Sequence, residues 1–299
     1  MSPSPNGATA QTSIQWQLAA DAAGRYHDVL VPTILGPAAR ALLEAMAVRR
    51  GDRVLDVGCG TGAATRFAAE QAGDSGSVVG IDVNPAMIAC AREHLRGAHG
   101  AVTFTQASAL ELPFEDDTFD VVLCAQTLQF LPDRGTTVAQ MRRVLRPGGR
   151  VGVSTWSPIE DNPYFESLVE AVRAHVGDET AAGLGAAFKL TDAEELRSLL
   201  SGGTASDGLE ASNGVEASNG AELSGGAEVR TVRFELDLPD ASSFVPRHIA
   251  ATPMAAGYAR ASAEARAAVL ADVAASTAPY RIAEGMRVPF ATLVGIAVV

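Results

Sequence analysis

Short apolar runs alternate with helical spacing along the first half of this chain. Val54-Leu55-Asp56-Val57 has the length of a strand and leads into three glycines spaced two apart, Gly58, Gly60 and Gly62. Ala63 to Ala72 follows as an alanine-rich helix. Ser77 to Asp82 is a second strand, rich in β-branched residues. Asn84-Pro85 then opens a helix through about Arg96, with Pro85 at an early position where its missing N–H costs little. Val102 to Gln106 and Val121 to Ala125 supply a third and a fourth strand. Val138, Met141, Val144 and Leu145 give Thr136 to Leu145 one apolar side, so this stretch is predicted as a helix. Arg146-Pro147-Gly148-Gly149 stops it, and Arg150 to Thr155 is a fifth strand. Strands alternating with helices in this way predict a parallel sheet with helices on both faces.

The pattern changes in the last third. From Glu228 to Leu238, Arg230, Val232, Phe234 and Leu236 alternate with Val229, Thr231, Arg233 and Glu235, which is a strand with one face apolar. Val288 to Val299 is its expected antiparallel partner. These two complete seven strands, and the helical spacing of 241–284 between them predicts a small cap over the carboxyl edge of the sheet. A helical lid over 14–47 is expected on the other side, the core occupying 48–200 and the end strands with the cap 228–299.

The glycine turn carries the chemistry. Each glycine lets the backbone turn sharply and pass close to a ligand, and the helix after it aims its N-terminal amides at the same place. Gly58, Gly60 and Ala63 fit the dinucleotide-binding pattern, but Asp56 stands at the end of the strand before them. A carboxylate repels a pyrophosphate and attracts a cationic nucleoside. D-V-G-C-G-T-G resembles the first motif of the class I S-adenosylmethionine-dependent methyltransferases, whose cofactor carries a sulfonium and an ammonium. The resemblance continues in order. Asp82, 20 residues after Gly62, can accept both ribose hydroxyls. Ser108 stands where the family commonly has an acid for the adenine amino group. Gln129 and Phe130 replace the histidine pair of many small-molecule members, and L-R-P-G-G-R-V closes the match at about Trp156. The nearest group is the set that includes the ubiquinone and menaquinone biosynthesis methyltransferases.

That resemblance implies a Rossmann-like α/β fold and S-adenosyl-L-methionine as cofactor, held by Asp56, Gly58, Cys59, Gly60, Asp82, Val83, Ser108, Ala109 and Gln126. Tyr26 matches the family's tyrosine for the methionine carboxylate. The expected reaction is direct in-line methyl transfer to a small molecule, driven by positioning, with no catalytic side chain assigned. An NAD-dependent oxidoreductase using the same glycines and a non-catalytic cofactor-binding module are the alternatives.

Composition narrows the partners. At 299 residues and 47% hydrophobic, the chain can bury a full α/β core with an appended cap. A net charge of −12 and a pI near 4.9 repel phosphate backbones, so no nucleic-acid partner is expected. Cys59, Cys90 and Cys124 lack paired spacing, which points to reduced thiols in a cytoplasmic protein. His27, His94, His99, His175 and His248 are isolated in sequence, so no metal is assigned. The Ser/Pro-rich start, 1–13, is expected to be a disordered tail without a signal peptide. The apolar end, Val288 to Val299, is too short to span a bilayer, so no membrane is expected. Three near-copies of a six-residue unit from Leu209 to Gly226 predict a flexible loop over 201–227.

Overall fold

The computed structural model describes residues 20–98, 100–202 and 226–299. The tail at 1–13 and most of the repeat loop lie outside them. The described residues begin with one uninterrupted helical rod: α1 (Ala20–Arg25), a wider π-helical winding (Tyr26–Leu35) and α2 (Gly36–Met46). Pro32 explains the wide winding, because it has no N–H to give to an α-helical ladder. The Gly36 N–H reaches back five residues to the Val31 carbonyl. A side chain at Gly36 would lie 2.6 Å from that oxygen. Residues Ala22–Met46 are long and apolar enough to cross a membrane by length and composition, yet 56% of the most apolar window is packed inside the fold.

The core follows as β1 (Arg53–Val57), α3 (Ala63–Ala72), β2 (Ser77–Asp82), α4 (Pro85–His94), β3 (Ala101–Gln106), β4 (Phe119–Ala125), α5 (Arg134–Arg143) and β5 (Leu145–Trp156). Next come α6 (Pro163–His175), α7 (Asp178–Gly185), α8 (Ala193–Leu200), β6 (Glu228–Leu238), α9 (Ala241–Ala250), α10 (Ala255–Arg260), α11 (Ala263–Ser276), β7 (Arg281–Ile282) and β8 (Gly285–Val298). The strands order as β3-β2-β1-β4-β5-β8-β6, with β7 paired to β8. All pairings from β3 to β5 are parallel. β8 runs antiparallel to both β5 and β6. The sheet thus has eight strands, the seven expected plus the two-residue β7.

One element moved. Val144 and Leu145 do not extend α5; the chain turns there, and the breaker run Arg146 to Gly149 becomes a bulge at the start of a longer β5. Asp120 braces this edge, accepting the Arg53 N–H at 2.6 Å and pairing with Arg146.

Two apolar layers cover the sheet. Leu42, Leu43, Met46, Phe67 and Ala68 pack one face, and Met141, Leu196, Leu199 and Leu200 pack the other. A third cluster forms the cap, around Trp156, Tyr164, Phe165, Phe244 and Phe290. The expected cap at 241–284 supplies α9 to α11, and α6 and α7 join it. Each large apolar side chain fully buried there stabilises the fold by about 1.5–3 kcal/mol. Because β1 lies between β2 and β4, the crossovers leave it in opposite directions. A crevice therefore opens at its carboxyl end.

Candidate cofactor and acceptor site

The glycine turn occupies that crevice. Gly58, Gly60 and Gly62 have φ of 70°, 53° and 90°, in the left-handed region that glycine tolerates. Two side chains from neighbouring strands fix the turn. Asp82 Oδ2 accepts the Gly60 N–H at 3.0 Å while its Oδ1 accepts the Asn84 N–H at 2.8 Å. Thr127, just past β4, donates its hydroxyl to the Gly58 carbonyl at 3.0 Å. These bonds within the protein hold the shape of the loop.

Asp56 lies wholly buried beneath it. Thr65, on the first turn of α3, donates to Oδ2 at 2.6 Å. The other oxygen, Oδ1, is buried and finds no hydrogen-bond partner among the described residues. Burial lifts this carboxyl from its ordinary 3.8 to about 6, against the lowering effect of Thr65. An orphaned anionic oxygen in the wall of the cleft fits a cationic group there. Its cost to the ligand-free fold has a definite sign. Below 3.8 the acid is protonated folded and unfolded alike, so no stability is lost. As pH rises through about 6 the fold must carry the buried charge, and stability falls. Asp56→Asn is expected to stabilise the ligand-free protein near pH 7.5 by roughly 2–3 kcal/mol, and by little near pH 4. Thermal melts at the two pH values check this, and an unchanged or lower melting point near pH 7.5 contradicts it. The same variant is expected to bind S-adenosylmethionine more weakly.

Of the residues expected at the cofactor, Tyr26, Asp56, Gly58, Cys59, Gly60 and Gln126 line one cleft of about 50 Å³, together with Thr61 and Thr127. The Tyr26 phenol is held above its ordinary value by burial and then by the Asp82 charge, so it stays neutral. Cys59 contributes main chain, because its thiol belongs to a cluster with Ile88, Leu95 and Phe104. Asp82 touches the cleft through Gly60. Val83, Ser108 and Ala109 are outside this lining. Val83 is 42% exposed, and the Ser108 hydroxyl accepts the Leu110 N–H at 3.2 Å.

A second cavity, also about 50 Å³, adjoins the first and shares Tyr26, Leu35 and Gln126 with it. Its walls come from the N-terminal rod (Leu30, Ile34), the turn after β4 (Gln129, Phe130) and the cap (Trp156, Phe165, Leu184, His248). Gln126 is the hinge between the two. Its backbone has φ of 51°, and its amide donates to Thr292 Oγ1 at 2.9 Å while accepting from Gln129 at 3.2 Å. Gln129 Oε1 is buried without a partner among the described residues. His248 is not isolated in space: Tyr164 Oη lies 3.1 Å from its Nδ1. Burial pushes this imidazole down to about 3, so it is neutral.

Nor are the other described histidines, His27, His94 and His175, isolated. His27 stacks on His94, and His175 Nε2 lies 2.7 Å from Asp272. Sequence reading also missed Thr65 and Thr127. Thr65 was findable as the hydroxyl on the otherwise alanine-rich inner face of α3, but Thr127 has meaning only through contact across the loop.

Comparison with known proteins settles the family. A family profile described as a methyltransferase domain matches residues 54–149. A ubiquinone/menaquinone biosynthesis C-methyltransferase, UbiE, of Idiomarina loihiensis is 35% identical over 168 residues, 47% of this chain and 67% of that protein. The chain is a class I S-adenosylmethionine-dependent methyltransferase. The Proteus mirabilis UbiE relates to this methyltransferase similarly, at 34% identity over 48% of this chain and 68% of its own. Solved structures repeat its fold. A Haemonchus contortus phosphoethanolamine N-methyltransferase 2 covers 95% of this chain with 58% of its own, at TM-score 0.55 and 19% identity. YcgJ of Bacillus subtilis covers 88% with 97% of its own, at TM-score 0.50 and 18% identity. Asp56 before the glycines had already argued against the NAD reading; membership of this family removes it, and with it the non-catalytic module.

Proposed function

We propose that this methyltransferase acts on an uncharged, largely apolar small molecule held in the second cavity. The observation that carries this reading is that the two cavities meet at Tyr26, Leu35 and Gln126, and that the second is lined by no Asp, Glu, Lys or Arg. The family match spans residues 54–149, so of the cavity wall it covers Gln126, Gln129 and Phe130, while the rod and cap side chains lie outside it. The UbiE relatives are named as C-methyltransferases of ubiquinone and menaquinone biosynthesis, which supports a carbon acceptor here too.

In this reading Tyr26, Asp56, Gly58, Gly60, Asp82, Gln126 and the Cys59 main chain hold the cofactor, with Val83, Ser108 and Ala109 at its adenine end. S-adenosylmethionine would supply the methyl on a sulfonium, whose departing thioether needs no activation by the protein, and a carbon acceptor would release its displaced proton to solvent. The chain's work is then to bind, align and exclude water. The apolar walls from Leu30 to Leu184 exclude water. Gln129 Oε1, desolvated and without a partner, offers an acceptor for one hydrogen bond from the substrate. His248, neutral and beside Tyr164, orients a polar substituent, and its suppressed basicity makes it a poor proton acceptor.

Incubating the enzyme with S-adenosylmethionine and a panel of acceptors tests the assignment. Methylation of uncharged ring compounds, with charged amines and nucleic acids inert, is the expected result; turnover confined to charged or macromolecular acceptors overturns it. Gln129→Leu is expected to raise acceptor KM about tenfold with kcat within roughly threefold, because it removes one ground-state contact. A fall in kcat with KM unchanged assigns Gln129 to the chemical step instead.

A further inference from the structure

Outside the cofactor cleft, three metal-ligating side chains converge where the N-terminal rod meets α4. His27 comes from the rod, and Cys90 and His94 come from α4. Their ligand atoms all lie within 4.8 Å of one another. Cys90 and His94 are four residues apart, so the helix places them on one face one turn apart. Both imidazoles are oriented from behind. His94 Nδ1 is 2.9 Å from the Cys90 carbonyl, and His27 Nδ1 is 3.1 Å from Thr61 Oγ1. Cys90 Sγ also lies 3.4 Å from His94 Nδ1. In the tautomers whose Nδ1 donates to the Cys90 carbonyl and to Thr61, each Nε2 keeps its lone pair for an ion. The rings lie against each other at 3.5 Å. A cleft of about 520 Å³ opens beside them, lined by Asp28, Thr61 and both histidines, and gives an ion a way in. Arg66 also lines that cleft, with its guanidinium 3.0 Å from Glu70.

We propose that His27, Cys90 and His94 form a binding site for a borderline-soft divalent cation such as Zn²⁺, which staples the N-terminal rod to α4. Two imidazole nitrogens and one sulfur suit Zn²⁺ and exclude Mg²⁺ or Ca²⁺, which take oxygen ligands. On binding, two N–Zn bonds and one S–Zn bond form, the Cys90 S–H breaks and its proton leaves to solvent. Three protein ligands leave a fourth position facing the cleft for water or Asp28. The staple joins Thr61 of the glycine turn, through His27, to the rod that carries Tyr26. Occupancy therefore stiffens the wall of the cofactor cleft without any ligand touching the cofactor.

Calorimetric titration of the full chain with Zn²⁺, free of S-adenosylmethionine, tests this without reference to methyl transfer. One ion per chain is expected, with affinity falling about a hundredfold or more in Cys90→Ser and in His94→Gln and unchanged in the control His175→Gln. Co²⁺ in place of Zn²⁺ is expected to give the near-ultraviolet charge-transfer band of a thiolate ligand in the parent protein, which needs no variant to fold. Absence of that band, or Zn²⁺ binding that survives Cys90→Ser and His94→Gln undiminished, overturns the proposal. Methyl transfer can then fail or succeed independently of either result.

Discussion

Gly58→Ala is expected to abolish measurable S-adenosylmethionine binding and to lower the melting temperature by roughly 4–10 °C. Two costs add. The residue sits at φ 70°, where a Cβ costs about 1–2 kcal/mol. That Cβ would also stand 2.6 Å from Thr127 Oγ1 and 2.8 Å from Thr127 Cβ. Overpacking of this kind costs about 1–3 kcal/mol, and here it pushes away the side chain that anchors the Gly58 carbonyl. The loop then opens on the side where the cofactor must lie against backbone. Calorimetry and a thermal melt read both effects together. Gly60→Ala is the contrast, because no atom lies within 4 Å of the Cβ it would add. Only the strain of its φ of 53° remains, so a smaller loss is expected. Equal losses in the two variants contradict the role given to Thr127.

Asp82→Ala is expected to weaken S-adenosylmethionine binding by tenfold or more, with a melting point only a few degrees lower. The carboxylate has two tasks in one position. It accepts the Gly60 and Asn84 amides, which shapes the glycine turn and starts α4, and in the proposed reading its remaining lone pairs accept a pair of ribose hydroxyls. Asp82→Asn separates the tasks. One amide oxygen keeps one of the two backbone bonds, yet the charge-assisted pair with a ribose is lost. An affinity for S-adenosylmethionine equal to that of the parent in both variants refutes the ribose assignment.

The fold was legible where local pattern and long-range pairing agree. Val54 to Val57, the three glycines and Ala63 to Ala72 carry strand, turn and helix signals within twenty residues, and β2 with α4 and β4 with α5 repeat the strand-to-helix step, whereas β3 leads to β4 with no helix between. The charge of Asp56 was legible too, since its meaning depends only on sitting before the turn. The site was less legible wherever a role depends on what crosses from elsewhere. Gln126 is held by Thr292, 166 residues away, and Tyr164 meets His248 across 84. No spacing rule links such pairs. The five histidines look unrelated in sequence for the same reason, yet the four described ones, His27, His94, His175 and His248, all have partners. The breaker run Arg146 to Gly149 misled differently: its signals were correct as turn chemistry, but a bulge at a strand entrance uses the same residues as a loop.

The place of β8 makes one strand the link across the antiparallel side of the sheet. β8 is synthesised after every other strand, yet it lies between β5 and β6 and bonds to both. Without it, β5 and β6 would each carry a bare edge open to pairing with another chain. The strand also brings Thr292, which steadies Gln126 where the two cavities meet. One strand thus holds both the antiparallel side of the sheet and the junction of the two cavities, whereas the glycine turn is braced by Asp82 and Thr127 without it.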